Sequence, residues 1–344
     1  MATILITGGL GYIGSHTALA FHEAGHEVLL LDNLANAEIQ TLDRLKKISG
    51  KKFQFNKVDL QDDTKLRNYI KIHPQIDAVI HFAAYKSVSE SVSNPIAYYQ
   101  NNLVGLLNLL RVMQENNMGN LVFSSSCSVY GEVKELPVTE QTPIHKPVSP
   151  YGNTKKIGEE ILQDVAQAFP DFFNITSLRY FNPIGAHESG LLGETSRTAP
   201  NNLLPLLMQK ALGLRKEFKI WGNDYDTPDG TCIRDYIHVE DLAEAHVKAT
   251  EYALNKPKKQ AYQVFNLGTG KGCSVLEVIQ TFEQVSGITL SYQMAPRRQG
   301  DVSAIYANAQ LAENVLEWKA KRNLADMVLS AWHWEQYYQN KKSK

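Results

Sequence analysis

Cysteine is scarce. Cys127, Cys232 and Cys273 are the only three in 344 residues, far apart and odd in number. That excludes a disulfide scaffold, and no Cys-x-x-Cys or Cys/His zinc spacing appears. Reduced, mostly buried thiols in a reducing compartment are expected. An excess of one charge sign is also missing: Lys plus Arg total 35 against 36 Asp plus Glu. This balance argues against a protein that coats nucleic acid, but leaves room for a small anionic ligand at a local site. No apolar run approaches the roughly 20 residues that span a bilayer. The chain opens directly on strand-like Thr3-Ile4-Leu5-Ile6-Thr7, with no signal-type apolar core. The expectation is a cytoplasmic protein with no nucleic-acid or membrane partner. The ten histidines suggest no metal site and read as surface or satisfied core residues.

What is present is ordinary globular material, 43% hydrophobic and 21% charged, long enough for two packed domains. The first half alternates β-branched runs with amphipathic stretches. Strands are predicted at Ile4 to Thr7, Glu27 to Leu31, Phe53 to Lys57, Ala78 to His81, Leu121 to Ser124 and Ile175 to Leu178. Helical patterns lie near 13–25, 62–72 and 95–115, and another begins near Tyr151. Such alternation predicts an α/β fold with a doubly wound parallel sheet. Past Arg179 loops lengthen, and shorter helices are suggested near 202–212, 274–285 and 323–338. The expected division is 1–180 plus about 234–267 as a nucleotide-binding domain, and 181–233 plus about 268–344 as a smaller mixed α/β substrate domain. The Lys-rich tip, Lys341-Lys342-Ser343-Lys344, reads as a solvated tail.

The strongest early signal is Gly8, Gly11 and Gly14 in Gly-x-x-Gly-x-x-Gly between the first strand and first helix, with Tyr12 and Ile13 inside it. Gly8 permits the tight turn, Gly11 lets a pyrophosphate approach backbone, and Gly14 lets helix and strand pack closely. The helix N-terminus then offers free N–H donors. Asp32, at the end of the second strand, can accept hydrogen bonds from the adenosine ribose and would repel a 2′-phosphate, which favours NAD over NADP. Asp59 follows the third strand, where a carboxylate can meet adenine. Phe82-Ala83-Ala84 follows the fourth, where small residues admit a cofactor.

Tyr151 and Lys155 form Tyr-x-x-x-Lys at a helix start, so both side chains share one face. Tyrosine, with an ordinary pKa of about 10, is a poor base near neutrality. A lysine cation and a positive nicotinamide ring favour the phenolate, which can then accept a proton from a sugar hydroxyl. Ser126, at the end of the preceding strand, can orient the same hydroxyl.

These motifs resemble the extended short-chain dehydrogenase/reductases with a Rossmann nucleotide-binding half, and within them the UDP-glucose 4-epimerase group. The resemblance runs nearly end to end. It is carried also by Gly11-Tyr12-Ile13-Gly14-Ser15-His16, Asp32-Asn33-Leu34, Arg179-Tyr180-Phe181-Asn182-Pro183, Pro200-Asn201-Asn202-Leu203 and Arg234-Asp235-Tyr236-Ile237-His238-Val239. It implies reversible C4 inversion of a UDP-hexose, as in galactose metabolism, through a transient 4-ketosugar and persistently bound NAD, in a homodimer formed through the helices near 95–115 and 150–168. It places Asn33, Asn36, Leu60, Lys86, Asn101 and Phe181 against the cofactor. Lys86, Leu203 and Tyr236 are placed against substrate. Arg234 and Arg298 would neutralise the diphosphate, Asn182 and Asn202 would bond phosphate or sugar, Lys219 and Trp221 would flank uracil, and Asp301 would hold the ribose.

Relatives that dehydrate carry an Asp-Glu pair where this chain has Cys127 and Ser128, and decarboxylating relatives keep a Glu at the latter position. Without a carboxylate there, elimination lacks its acid and base. Ser125-Ser126-Cys127 matches a run in fucose-forming epimerase–reductases, but Asp32 disfavours their NADP. A non-catalytic NAD-sensing protein of this fold would be expected to lose the Tyr or Lys retained here. Ile305 stands where the resembling proteins often have Tyr. Intermediate room there extends the expectation to UDP-N-acetylhexosamines.

Overall fold

The computed structural model describes residues 1–195, 202–255, 261–298 and 300–342. Pro200 and Asn201 of the matched motif, and Ser343-Lys344 of the tail, lie outside the described residues.

The β-branched runs become seven parallel strands. They are β1 (Thr3–Thr7), β2 (Glu27–Asp32), β3 (Gln54–Lys57), β4 (Ala78–His81), β5 (Asn120–Ser124), β6 (Asn174–Tyr180) and, much later, β10 (Tyr262–Leu267). Their order is β3-β2-β1-β4-β5-β6-β10. β1, β4 and β6 are buried along their whole length, as apolar runs covered on both faces must be. On one face lie α1 (Tyr12–Glu23) and α9 (Val239–Asn255), with Phe21, Leu242 and Ala245 in the core. The other face is covered by α3 (Asp63–Lys71), α6 (Gly105–Glu115) and α7 (Pro150–Ala168), through Leu66, Leu109 and Leu162. The strand order reverses between β1 and β4, which opens a crevice at their carboxyl ends where such sheets take ligands.

The helical pattern near 95–115 is three elements. α5 (Pro95–Tyr99) and α6 are joined by a π-helical turn, Gln100–Val104. That turn points Asn102 inward, where it bonds the Tyr85 backbone in both directions and the Thr154 hydroxyl.

The second unit contains β7 (Asn182–Ile184), β9 (Ile233–His238), β11 (Gly272–Ser274) and β13 (Ala304–Ile305) in one small sheet, and β8 (Lys219–Trp221) paired with β12 (Gln293–Ala295). Helices α8 (Leu203–Ala211), α10 (Val275–Ser286) and α12 (Leu324–Lys342) close a core around Leu207, Phe282 and Trp332. α10 starts with a capping box between Ser274 and Glu277. The chain was expected to return to the first sheet near residue 234. β9 instead pairs within the small sheet, so the return comes at Val239 with α9. α11 (Gln310–Leu316) also packs back on β10 and α9.

Candidate active site

A cleft opens over the carboxyl ends of β1 to β4. Its floor is the glycine turn. Gly8 has φ of 69°, and a Cβ there would lie 2.8 Å from the Ala83 amide nitrogen. A Cβ on Gly14 would lie 2.3 Å from the Gly8 carbonyl oxygen. Gly11 is the N-cap of α1 and contributes no side-chain cap, so the helix N-terminus presents its N–H groups to the cleft. A backbone cradle that side chains would fill fits a bound pyrophosphate.

At the far end Asp32 is buried, accepting from the Leu34 amide at 2.8 Å and the Leu10 amide at 3.2 Å. Burial raises its carboxyl above the ordinary value and these amides oppose the rise. Leu34 follows at φ of 61°, an uncommon conformation for a leucine, held in part by Asp32. Asp59 accepts from Asn33 at 3.0 Å and from the Gln61 amide at 2.9 Å. Asp32, Asn33, Asn36, Asp59 and Leu60 all line the cleft, as do Phe82, Ala83, Ala84, Lys86 and Asn101. Tyr12 and Ile13 join them from the glycine turn.

The chemical end is set by the start of α7. Ser149 caps it, accepting from the Gly152 amide at 3.1 Å, and Pro150 takes the first helical position. Tyr151 and Lys155 thereby project one turn apart into the cleft beside Ser124 and Tyr180. Burial drives the Tyr151 phenol well above its ordinary pKa, Tyr180 adds to this, and the Ser126 hydroxyl opposes it. Lys155 is buried and donates to the Ser124 carbonyl at 2.6 Å, with its Nζ 5.0 Å from the Phe123 ring centroid. Burial brings its pKa down to about 7, against the pull of Glu159. Ser126 also accepts from the Ser128 amide at 3.2 Å and its hydroxyl at 2.9 Å. Ser126 thus stands beside Tyr151 and Lys155, and the two residues that follow it, Cys127 and Ser128, are not carboxylates.

The second unit brings other expected residues together. Arg298 bonds Asp301 at 2.9 Å, and Arg234 lies 3.7 Å from the same carboxylate, so both arginines converge on one point. On β8 alternation buries Ile220 and leaves Lys219 and Trp221 exposed on the same side. Lys86 and Asn202 meet through one carboxylate, Glu194, at 2.8 and 3.2 Å. Leu203 opens α8 behind Asn202, and Asn182 is half-buried on β7. Phe181 does not line the cleft; it packs with Val129, Tyr130 and Ile305. Tyr236 likewise lies in the second core.

Sequence reasoning passed over Tyr180 and Glu194. Tyr180 stood inside a matched motif, but its bond to Ser124 could be seen only across β5 and β6. Glu194 is a lone loop carboxylate with no local signal. His22-Glu23-Ala24-Gly25-His26 also has the His-Glu-x-x-His zinc spacing, which on a helix puts both rings on one face. Here α1 ends at Glu23. His22 packs edge-on against Phe53 and His26 against Phe21, so the two rings have different neighbours.

A parallel sheet with a glycine turn, a strand-end Asp and a Tyr–Lys pair lining one cleft defines a dinucleotide-dependent enzyme acting on a hydroxyl-bearing substrate. Residues 4–268 match the NAD dependent epimerase/dehydratase family, and the chain belongs to it. It is 47% identical over 333 residues to the UDP-glucose 4-epimerase of Erwinia amylovora, covering 97% of each chain. The UDP-glucose 4-epimerase of Bifidobacterium longum, solved with NAD+ and UDP, is similar at a TM-score of 0.94 and 45% identity, over 98% of this chain and 99% of that one. The UDP-Glc/GlcNAc 4-epimerase of Campylobacter jejuni is similar at a TM-score of 0.83 and 38% identity, over 98% and 100%.

Proposed function

We propose that this chain interconverts UDP-glucose and UDP-galactose by inverting C4 through a transient 4-ketosugar, with NAD held by the glycine turn and Asp32. The observation that carries the reading is Tyr151 and Lys155 facing the same cleft as that turn. NAD, held by the glycine turn with Asp32 and Asp59 in the same cleft, would supply reversible acceptance of the C4 hydride when bound. Tyr151 Oη accepts the C4 hydroxyl proton and later gives it back, Lys155 favours the phenolate by its charge, and Ser126 orients the hydroxyl. Net redox change is zero, so the cofactor need not leave.

Arg234 and Arg298 bind the diphosphate in exchange for part of their pairing with Asp301. Asn182 and Asn202, with Lys86, hold phosphate or sugar, and Lys219 and Trp221 flank the uracil. Affinity placed on the nucleotide end leaves the hexose free to turn over. The first sheet with α9 serves NAD and the second unit serves the nucleotide sugar. Likeness to the Campylobacter jejuni protein supports UDP-N-acetylhexosamines as further substrates. The chain works as a cytoplasmic homodimer through α5–α6 and α7, where Ile96, Val104 and Leu107 are exposed. Among the described residues, no helix is long and apolar enough to cross a membrane. Incubating the purified protein with UDP-glucose and no added NAD tests the function. UDP-galactose is expected by chromatography, and its absence even with NAD supplied removes UDP-glucose as substrate.

A further inference from the structure

Behind the reacting pair lies a buried polar chain that the proton transfer above does not use. Tyr151, Lys155 and Glu159 occur at successive turns of α7, and Glu159 is 1% exposed. Arg179, reaching in from β6, donates its Nε to both Glu159 oxygens at 2.9 and 3.2 Å and an Nη at 2.5 Å. Ser125 donates its hydroxyl to the same carboxylate at 2.5 Å. The other Arg179 Nη donates to Tyr130 at 3.1 Å, and Tyr130 donates to Asn266 of β10 at 2.6 Å.

Ser125 sits between two working neighbours. The carbonyl of Ser124 holds Lys155, and the hydroxyl of Ser126 faces Tyr151. Anchoring Ser125 therefore fixes both at once. A buried ion pair is expensive and is weak evidence of stability alone, so its place beside the acid–base pair calls for a reason.

We propose that Glu159 is a positioning residue for the reaction: clamped by Arg179 and Ser125, it locks the end of β5 against Tyr151 and Lys155 and keeps a fixed negative charge one turn behind the Lys155 ammonium. This rests on reading Tyr151 and Lys155 as the acid–base pair. The groups around that ammonium leave Glu159 as its source of negative charge among the described residues. On α7 these are Tyr151 and Glu159. β4 presents His81, which burial keeps neutral with a pKa near 3. β5 presents the Phe123 ring and Ser124 carbonyl, and Cys127, just beyond it, acts on Tyr151 with burial keeping its thiol neutral. β6 presents Arg179 and Tyr180, the preceding short helix Tyr98, and β10 Tyr262, whose phenols burial keeps protonated.

A charge role moves the pH profile; a purely structural role lowers activity evenly. In Glu159→Gln, the alkaline limb of kcat/KM for UDP-glucose is expected to shift to lower pH by about one unit, an approximately tenfold loss on the alkaline side, while Glu159→Asp restores the limb. An unshifted limb in a Glu159→Gln protein of normal NAD content overturns the proposal. Should that variant fail to fold because Arg179 is stranded, Glu159→Gln/Arg179→Met is compared with Arg179→Met, so that loss of the Arg179 cation is common to both and only loss of the carboxylate is read by the same two outcomes. Tyr151→Phe, measured alongside, separates the readings. Activity surviving in it removes the acid–base assignment itself, whereas an inactive Tyr151→Phe with an unmoved Glu159→Gln limb removes this inference alone.

Discussion

At the scale of residues, the legible part of the site was the part with local spacing. Gly8, Gly11 and Gly14 state a turn in seven residues, and Tyr151 with Lys155 state one helix face. Their surroundings were not legible. Lys155 is stabilised by a strand carbonyl and Tyr151 is perturbed by Tyr180, partners set by sheet pairing rather than by spacing. Glu194, which links Lys86 to Asn202, was silent in sequence for the same reason. The glycine argument can be tested sharply. Alanine at Gly14 puts a Cβ 2.3 Å from the Gly8 carbonyl, so strand and helix must part. Gly14→Ala is expected to cost about 1–3 kcal/mol of stability and most of the bound NAD, read by denaturant unfolding and by cofactor absorbance per chain. Normal NAD content would show that the cradle tolerates a side chain.

Among elements, β1, β4 and β6 were readable because both faces are covered and their side chains are buried throughout, whereas the edge strand β3 is largely exposed. The short strands of the second unit were not readable, since β7, β8, β11 and β12 have three residues each and carry no period. The break in the helix at 100–104 was hidden too, because Gln100-Asn101-Asn102-Leu103-Val104 fits a helical pattern. That turn has a purpose visible only in three dimensions. Asn102 ties the loop after β4, which walls the cleft, to α7, which carries Tyr151. Asn102→Ala leaves the part-buried Tyr85 backbone groups and the buried Thr154 hydroxyl without this partner, so a loss of about 1–2 kcal/mol is expected. Lower kcat should accompany it. Unchanged unfolding midpoint and rate would show that the tie is dispensable.

Over the whole molecule, the texture of the sequence changes past Arg179, close to where the chain leaves the seven-stranded sheet for a smaller one, but the exact crossings carry no such signal. α9 and α11 return to the first sheet by packing contacts that have no sequence signature. Burial also gives the molecule a pH dependence. His16, His81 and His238 are held neutral with pKa near 3 and His246 near 4, in each case chiefly by burial. The unfolded chain takes up those protons at the ordinary value of about 6.5. Below that value the unfolded state binds more protons, so stability is complete above it and is lost as pH falls toward the folded values. Together these histidines should remove a few kcal/mol, about 1 kcal/mol each, by one pH unit below their ordinary value. The raised carboxyls of Asp32 and Asp235 act in the opposite sense, gaining stability as they take up protons. Urea midpoints on either side of that value, at saturating NAD, check the sign. A midpoint that rises on acidification contradicts it.

The central claim, a hydride lifted from C4 and returned to the same carbon by a cofactor that never leaves, is tested most directly with UDP-glucose carrying deuterium at C4. The purified protein is supplied with this substrate in ordinary water without added NAD, and the UDP-galactose formed is examined by mass spectrometry and NMR. Full retention of deuterium at C4 is expected. Product that has lost its label to solvent would contradict the account.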